Sequence, residues 1–158
     1  MTTILFPTRG GEASYPNQDR VIALSKEENA RLLFMYVADV RFMTQMARPA
    51  VVDLQDELEE MGAFMLAMAK ERAAAHDVPA ETAVRRGVFR QAVKEVIAEE
   101  GVTLLAIGAP TEATGVTTPT YRQSLIRDLI EETGIDVVVL DEGKIIARYG
   151  PEALPEED

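Results

Sequence analysis

The sequence predicts an α/β fold built on an open parallel sheet with helices on both faces. Short β-prone runs alternate with longer amphipathic segments five times along the chain, which is the pattern of repeated strand-helix-strand units. The second run, RLLFMYVA over 31–38, is apolar at nearly every position, as in a strand covered on both faces. The stretch 102–141 reads as strand, glycine-started loop, helix and strand, and parallel sheets hold ligands in such loops.

The first half of the chain contains two expected strands and two expected helices. The first strand is ILF flanked by threonine and stopped by Pro7. The helix after it has Ser14 as its expected N-cap and Pro16 in its first turn. An irregular connection over 39–49 follows the second strand and forms either a lid or a loop that folds Phe42, Met43 and Met46 onto the core. The expected elements are a strand over 3–7, a helix from about 14, a strand over 31–38 and a helix over 51–76.

Five apolar residues recur in the long second helix at three- and four-residue spacing, which makes one apolar stripe. We expect this stripe to pack on the helix's own sheet. An adaptable surface for a partner is the alternative, because methionine fits irregular surfaces. The stripe consists of Leu54, Leu58, Met61, Met65 and Met68.

The second half continues the alternation and ends in a turn signal, Asp141-Glu142-Gly143-Lys144. The turn allows residues 144–149 to return as an antiparallel sixth strand. The strand order expected for the five parallel strands is 3-2-1-4-5, which opens a crevice between strands one and four. The expected elements are strands over 81–86, 103–107 and 137–140, and helices over 88–100 and 121–133, the last ending at Gly134.

Composition favours one cytoplasmic domain. The chain has 158 residues and 47% hydrophobic content, enough for a single core, so we expect a domain over 1–150 and a disordered acidic tail over 151–158. There is no cysteine and the one histidine, His76, sits at the end of a helical pattern, which argues against a metal site or a catalytic triad. The net charge of -11 disfavours nucleic acid and anionic membranes as partners. No apolar run approaches bilayer length.

Four stretches of the chain resemble the universal stress protein family: ILFPTRGGEAS, NARLLFMYV, RRGVFRQAVKEVIAEEGVTLLAIG and SLIRDLIEETGIDVVVL. The resemblance covers about residues 2–141. It implies the parallel fold described above, and a homodimer in which the fifth strand pairs with its twofold mate. Because residues 144–149 extend beyond that strand, we expect them to cross to the mate and to bury Ile145 and Ile146 there.

The resemblance also implies a nucleotide site from which this sequence departs. Many members bind ATP with an aspartate after the first strand and a loop of the form G-x2-G-x9-G-(S/T) after the fourth. Gly108 matches the first glycine, but Thr111 stands at the second, Gln123-Ser124 at the final pair and Arg9 at the aspartate. Arginine carries only donors and cannot replace an accepting carboxylate. A β-carbon where positive φ or close approach is needed costs on the order of 1 kcal/mol or more.

The crevice therefore suits an anion better than ATP. Arg9 and Gly10 would face the threonine-rich loop after Gly108, so that a guanidinium, hydroxyls and backbone donors meet there. The alternative is that Arg9 pairs with Glu12 or Glu112 and the threonines form a solvated loop. The candidate ligand-binding positions are Thr8, Arg9, Gly10, Val37, Gly108, Thr111 and Ser124.

Three functions are consistent with the sequence. The first is a non-catalytic, cofactor-free stress-type protein that acts through protein interaction or a non-ATP, anionic ligand. The second is a switch that still binds ATP or another adenine nucleotide in a changed pose. The third is a phosphotransferase or hydrolase, which would need Mg²⁺ and a placed carboxylate, with Asp39 and Glu112 as its candidates.

Overall fold

A computed structural model describes residues 2–8, 12–38, 48–109 and 119–155, with backbone alone at 48–53 and 119–120. A short 3-10 turn, Glu12–Ser14, leads into the first helix. The remaining elements are β1 (Thr3–Pro7), α1 (Tyr15–Glu28), β2 (Arg31–Ala38), α2 (Arg48–Ala75), β3 (Ala80–Arg86), α3 (Phe89–Glu100), β4 (Leu104–Gly108), α4 (Pro119–Thr133), β5 (Asp136–Asp141) and β6 (Lys144–Tyr149).

The strands form one six-stranded sheet in the order β3-β2-β1-β4-β5-β6. The first five strands are parallel, and β6 pairs with β5 in the antiparallel direction. The parallel order predicted from the sequence is confirmed, as is the additional C-terminal strand. The order places the ends of β1 and β4 side by side, so the crevice expected at the reversal of strand order lies between them.

Alternate residues of each parallel strand enter two separate hydrophobic layers, because successive side chains of a strand point to opposite faces. On β1, Ile4 and Phe6 face the layer formed with α1 and α2. Leu5 faces the layer formed with α3 and α4. All three side chains are nearly inaccessible to solvent, which explains why the strands are apolar at consecutive positions.

The sixth strand returns through a two-residue turn in which Glu142 and Gly143 have φ values of 48° and 81°. Such a turn matches the twist of a hairpin and sends β6 back along β5 of the same chain. The predicted exchange of this strand between subunits is therefore wrong in this structure. Ile146 interrupts the regular pairing with β5 and remains 54% exposed, so pairing within the chain does not bury both isoleucines.

One edge of the sheet is consequently β6, whose outward positions carry Lys144, Ile146 and Arg148. Charged side chains and an irregular pairing are features that oppose further strand addition. The homodimer stays a prediction, but β5, the strand through which the resemblance suggests it forms, already has a neighbour on both sides.

The N-terminus of α1 differs in one detail from the expectation. Ser14 occupies the N-cap position but makes no capping bond with its side chain. Its hydroxyl instead accepts a hydrogen bond from Gln18 Nε2 at 2.8 Å. Ser14 has a helical φ of -89° and ψ of -10°, whereas a capping serine adopts extended dihedrals.

Helix α2 packs on the sheet through a different face from the one predicted. From residue 54 onward its buried residues are Gly62, Leu66, Ala69 and Ala73. Met61 is 46% exposed, and the other four stripe residues are half-buried. Glycine at position 62 allows close approach, since a Cβ there would lie 2.2 Å from Tyr36 Cδ1. Small residues therefore set the distance between helix and sheet.

The C-terminal residues are ordered further than predicted. Gly150 and Ala153 form an isolated bridge, and Leu154 packs against the layer beneath α4. Arg127 on α4 donates a hydrogen bond to the carbonyl of Pro155. Residues 151–155, expected to belong to a disordered tail, thus have defined contacts. Residues 156–158 lie outside the described residues. None of the described helices combines the length and apolarity needed to cross a bilayer.

We predict that Gly62→Ala lowers the free energy of unfolding by about 1–2 kcal/mol, because overpacking against Tyr36 outweighs a helix-propensity gain of about 1 kcal/mol. Urea unfolding followed by circular dichroism measures the change. In a Tyr36→Ala background the same substitution should become stabilising by roughly 0.5–1 kcal/mol. An equal loss in both backgrounds would show that the ring contact is not the cause.

We also predict that truncation after Glu142 increases self-association, because it uncovers the backbone of β5 and its buried apolar residues. Sedimentation velocity of the truncated and complete chains at equal concentration measures this. A chain that ends after Gly150 keeps β6 and is the control. An exchanged strand predicts the reverse, so a truncated chain that dissociates from dimer to monomer would overturn the in-chain pairing.

Candidate functional site

The candidate site is the carboxyl edge of the sheet where β1 ends beside β4, because a crevice is expected at this reversal of strand order. Thr8 follows β1 directly, is 9% exposed, and donates its backbone N–H to the carbonyl of Met35 on β2 at 2.8 Å. On the other wall, Gly108 is the last residue of β4, and the N–H of Ala109 bonds to Leu140 O on β5 at 2.6 Å. Thr8 is therefore held by β2 and Ala109 by β5, in each case the neighbouring strand on the side away from the β1–β4 boundary.

Asn17, in the first turn of α1, extends over this edge. Its Oδ1 accepts a hydrogen bond of 2.8 Å from the backbone N–H of Gly143, in the turn between β5 and β6. Because that N–H needs an acceptor, the amide orientation is determined: Oδ1 faces the turn and the Nδ2 donor faces Gly108. Sequence reasoning missed Asn17, since its role depends on a contact between residues 126 positions apart.

Gly108 has a structural reason to be glycine that is independent of any ligand. A Cβ at this position would lie 3.2 Å from Asn17 Nδ2, tighter than ordinary carbon-nitrogen contact. Because Gly108 has no side chain, the Asn17 amide can lie against the end of β4. The Asn17 donor thus lies against Gly108, and Thr8 stands at the end of the neighbouring strand β1.

The other described candidates lie on β2 and α4. Val37 is half-buried near the end of β2 and packs against the layer beneath α3 and α4. Ser124 is exposed on α4, next to the buried Leu125. Gln123 lines a shallow depression of about 350 Å³ together with Tyr149 and other residues of the C-terminal extension. A helix binds anions at its first turn. Because α4 begins at 119, Gln123 and Ser124 lie beyond that turn.

The remaining candidate residues lie outside the described residues. They include Arg9, Gly10 and Thr111, on which the anion-binding hypothesis rests, and Glu112, which with Glu12 is an alternative partner for Arg9. The two carboxylates suggested for a hydrolase, Asp39 and Glu112, also lie outside the described residues. The same is true of three apolar residues of the 39–49 connection, Phe42, Met43 and Met46.

The described residues with shifted pKa values belong to ion pairs between elements. Hydrogen bonds to Glu132 and Asp128 on α4 raise the pKa of Lys94 on α3, and the bond from Lys94 lowers the pKa of Asp128. At the amino edge of the sheet, a hydrogen bond from Arg31 lowers the pKa of Glu81. These partly exposed pairs tie helices and strands together. The described residues contain no cluster of three potential metal ligands among histidine, aspartate and glutamate.

The larger surface depression does not coincide with the crevice. It has a volume of about 680 Å³ and lies at the amino edge of the strands, where Thr103, Asp136 and Arg148 contribute to its lining. It is wide open to solvent. The candidate ligand site is at the carboxyl edge, because that edge carries the reversal of strand order and the oriented Asn17 donor.

Comparison with known proteins agrees with this architecture. A sequence model of the group described as the universal stress protein family matches residues 1–140. This chain belongs to the universal stress protein family. Universal stress protein YxiE from Bacillus subtilis (strain 168) is 27% identical over 108 residues, which cover 63% of this chain and 73% of that protein.

Solved structures of universal stress proteins share the fold. The protein UspA from Lactobacillus plantarum superposes with a TM-score of 0.70 at 16% identity, over 88% of this chain and 97% of its own. A universal stress protein crystallised in complex with cAMP superposes with a TM-score of 0.61 at 22% identity, over 88% and 96% of the two chains. Other structures of this fold contain AMP or dAMP. At these identities the similarity establishes the fold.

We predict that Asn17→Ala lowers the free energy of unfolding by about 0.5–1.5 kcal/mol, because the N–H of Gly143 loses its acceptor. Asn17→Asp keeps an oxygen at that position and should retain most of the stability. Urea unfolding followed by circular dichroism compares the two variants. If both lose stability equally, the bond to Gly143 does not support the turn.

Proposed function

We propose that this universal stress protein is a non-catalytic regulator whose crevice binds a small anion, such as phosphate or a carboxylate, in place of ATP. The observation that carries the proposal is the Asn17 amide, which presents a donor and not an acceptor beside Gly108. A donor at this position stabilises negative charge, whereas an adenine amine or a ribose hydroxyl that donates requires an acceptor.

Two features of the sequence support the same ligand class. Arg9 follows the buried Thr8, and a guanidinium binds phosphate or carboxylate with paired donors. The glycines that the family pattern places after Gly108 are Thr111 and Gln123 here. Because side chains at those positions hinder close approach of the backbone to a triphosphate, a smaller anion fits the proposal better.

A second candidate function is an adenine-nucleotide switch. The structures of the family that contain cAMP, AMP or dAMP favour it, because those proteins of the same fold bind such nucleotides. Absorbance of the purified protein distinguishes the two functions: the chain has four tyrosines and no tryptophan, so a bound nucleotide would add clearly to absorbance near 260 nm. The anion proposal expects no such excess.

We predict that inorganic phosphate at ten times its dissociation constant stabilises the protein by about 1.4 kcal/mol, which corresponds to about 3–5 °C in Tm. Thermal unfolding with phosphate at constant ionic strength measures the shift. Arg9→Ala should abolish it. Asn17→Asp should also abolish it, since it keeps the turn but replaces the donor by a carboxylate oxygen.

Arg148→Ala is the matched control, because Arg148 lines the open depression at the opposite edge. Phosphate should stabilise this variant as it does the unaltered protein. Loss of the shift in Arg148→Ala but not in Arg9→Ala would move the anion site to the amino edge. Isothermal titration with ATP and Mg²⁺ completes the comparison, and a dissociation constant below about 10 μM, roughly -7 kcal/mol, would overturn the preference for a smaller anion.

A further inference from the structure

The solvent side of α2 carries an apolar patch that the packing of the sheet does not require. Phe64 is 65% exposed, the highest exposure of any large apolar side chain among the described residues, and Met61 is 46% exposed. Met65 and Met68 beside them are half-buried. These four residues are called the α2 outer patch below.

The patch and the buried face lie on different sides of the helix. Gly62 and Leu66 pack toward the sheet, and a residue two positions away from either is rotated by about 200° around the axis. Phe64 therefore points away from the core. Burial of α2 on its own sheet accounts for Gly62, Leu66, Ala69 and Ala73, but it does not account for a phenylalanine on the opposite side.

Carboxylates lie at both ends of the patch. Glu57 and Glu71 stand seven residues before and after Phe64, so each is about two turns, or roughly 10 Å, away along nearly the same line of the helix. Glu60 stands one turn before Phe64, and all three glutamates are exposed. The nearby Arg72 is occupied elsewhere, since its Nη2 lies 2.6 Å from Asp19 Oδ1 and its guanidinium stacks over Tyr15.

This charge pattern argues against a second copy of the chain as the occupant. Two α2 helices packed antiparallel through Phe64 would place Glu57 of each copy against Glu71 of the other. A parallel pair would place each glutamate against its own counterpart. Either arrangement brings like charges together at both ends of the contact, and the chain already carries a net charge of -11, so repulsion opposes the pair.

We propose that the α2 outer patch binds a basic amphipathic helix of another protein. The complementary helix presents apolar residues at the centre of one face and lysine or arginine about two turns to either side. Its apolar residues contact Phe64 and the methionines, whose flexible side chains adapt to different partners. Its cations pair with Glu57 and Glu71, which sets the orientation and speeds encounter.

Fluorescence anisotropy with a designed peptide tests this proposal directly. The probe is a labelled helical peptide of about 20 residues, with leucines on one face and two lysines near each end. A matched peptide carries glutamate in place of every lysine. We expect the basic peptide to bind with a dissociation constant on the order of 10 μM and the acidic peptide to bind at least about tenfold more weakly. Equal binding of both peptides would overturn the charge argument.

Two apolar positions provide the matched variants. Phe64→Gln should weaken binding of the basic peptide at least about tenfold, whereas Ile146→Gln, which changes an exposed isoleucine on β6, should leave it unchanged. Both side chains face solvent, so unfolding curves of the variants should match that of the unaltered protein. If the two variants weaken binding alike, the patch is not the site.

The carboxylates are tested separately by the double variant Glu57→Gln, Glu71→Gln. It should weaken binding of the basic peptide and reduce its dependence on salt concentration, because screened ion pairs no longer contribute. Sedimentation of the protein alone completes the test. A concentration-dependent dimer that Phe64→Gln abolishes would show that a second copy occupies the patch and would overturn the proposal.

Discussion

A parallel sheet has to be covered on both faces, and the rest of this structure follows from how the chain meets that requirement. Each strand alternates its side chains between two separate hydrophobic layers, one beneath α1 and α2 and the other beneath α3 and α4. The helices that cover the sheet must begin at its carboxyl edge, because each follows a strand. Helix α1 follows β1, so its first turn lies at this edge, and this places Asn17 beside both Gly143 and Gly108.

The C-terminal extension connects the open edge of the sheet to the crevice. β6 satisfies the outer backbone of β5, and the turn between them reaches the first turn of α1 through Gly143 and Asn17. That bond fixes the direction of the amide, whose second group faces Gly108. A strand added at the edge thus determines which chemical group the crevice presents, because one side-chain amide makes both contacts.

Helix α2 meets two demands on opposite sides. Toward the sheet it presents small residues, and Gly62 lets it approach the ring of Tyr36 closely. Toward solvent it presents Phe64 and Met61 between carboxylates. A helix needs only one apolar side to pack on a sheet, so the second apolar side is available for the proposed partner.

The sequence by itself determined the order of the elements, the parallel arrangement and the added β6, because apolar runs such as 31–38 and turn signals such as Glu142-Gly143 act over short distances along the chain. It also indicated that Arg9 replaces the family's aspartate. It did not determine which side of α2 packs, since the methionine stripe and the small residues Gly62, Ala69 and Ala73 are both regular at helical spacing. Only the tertiary structure decided that, through the close contact with Tyr36, and only it revealed Asn17, whose role depends on a residue 126 positions away.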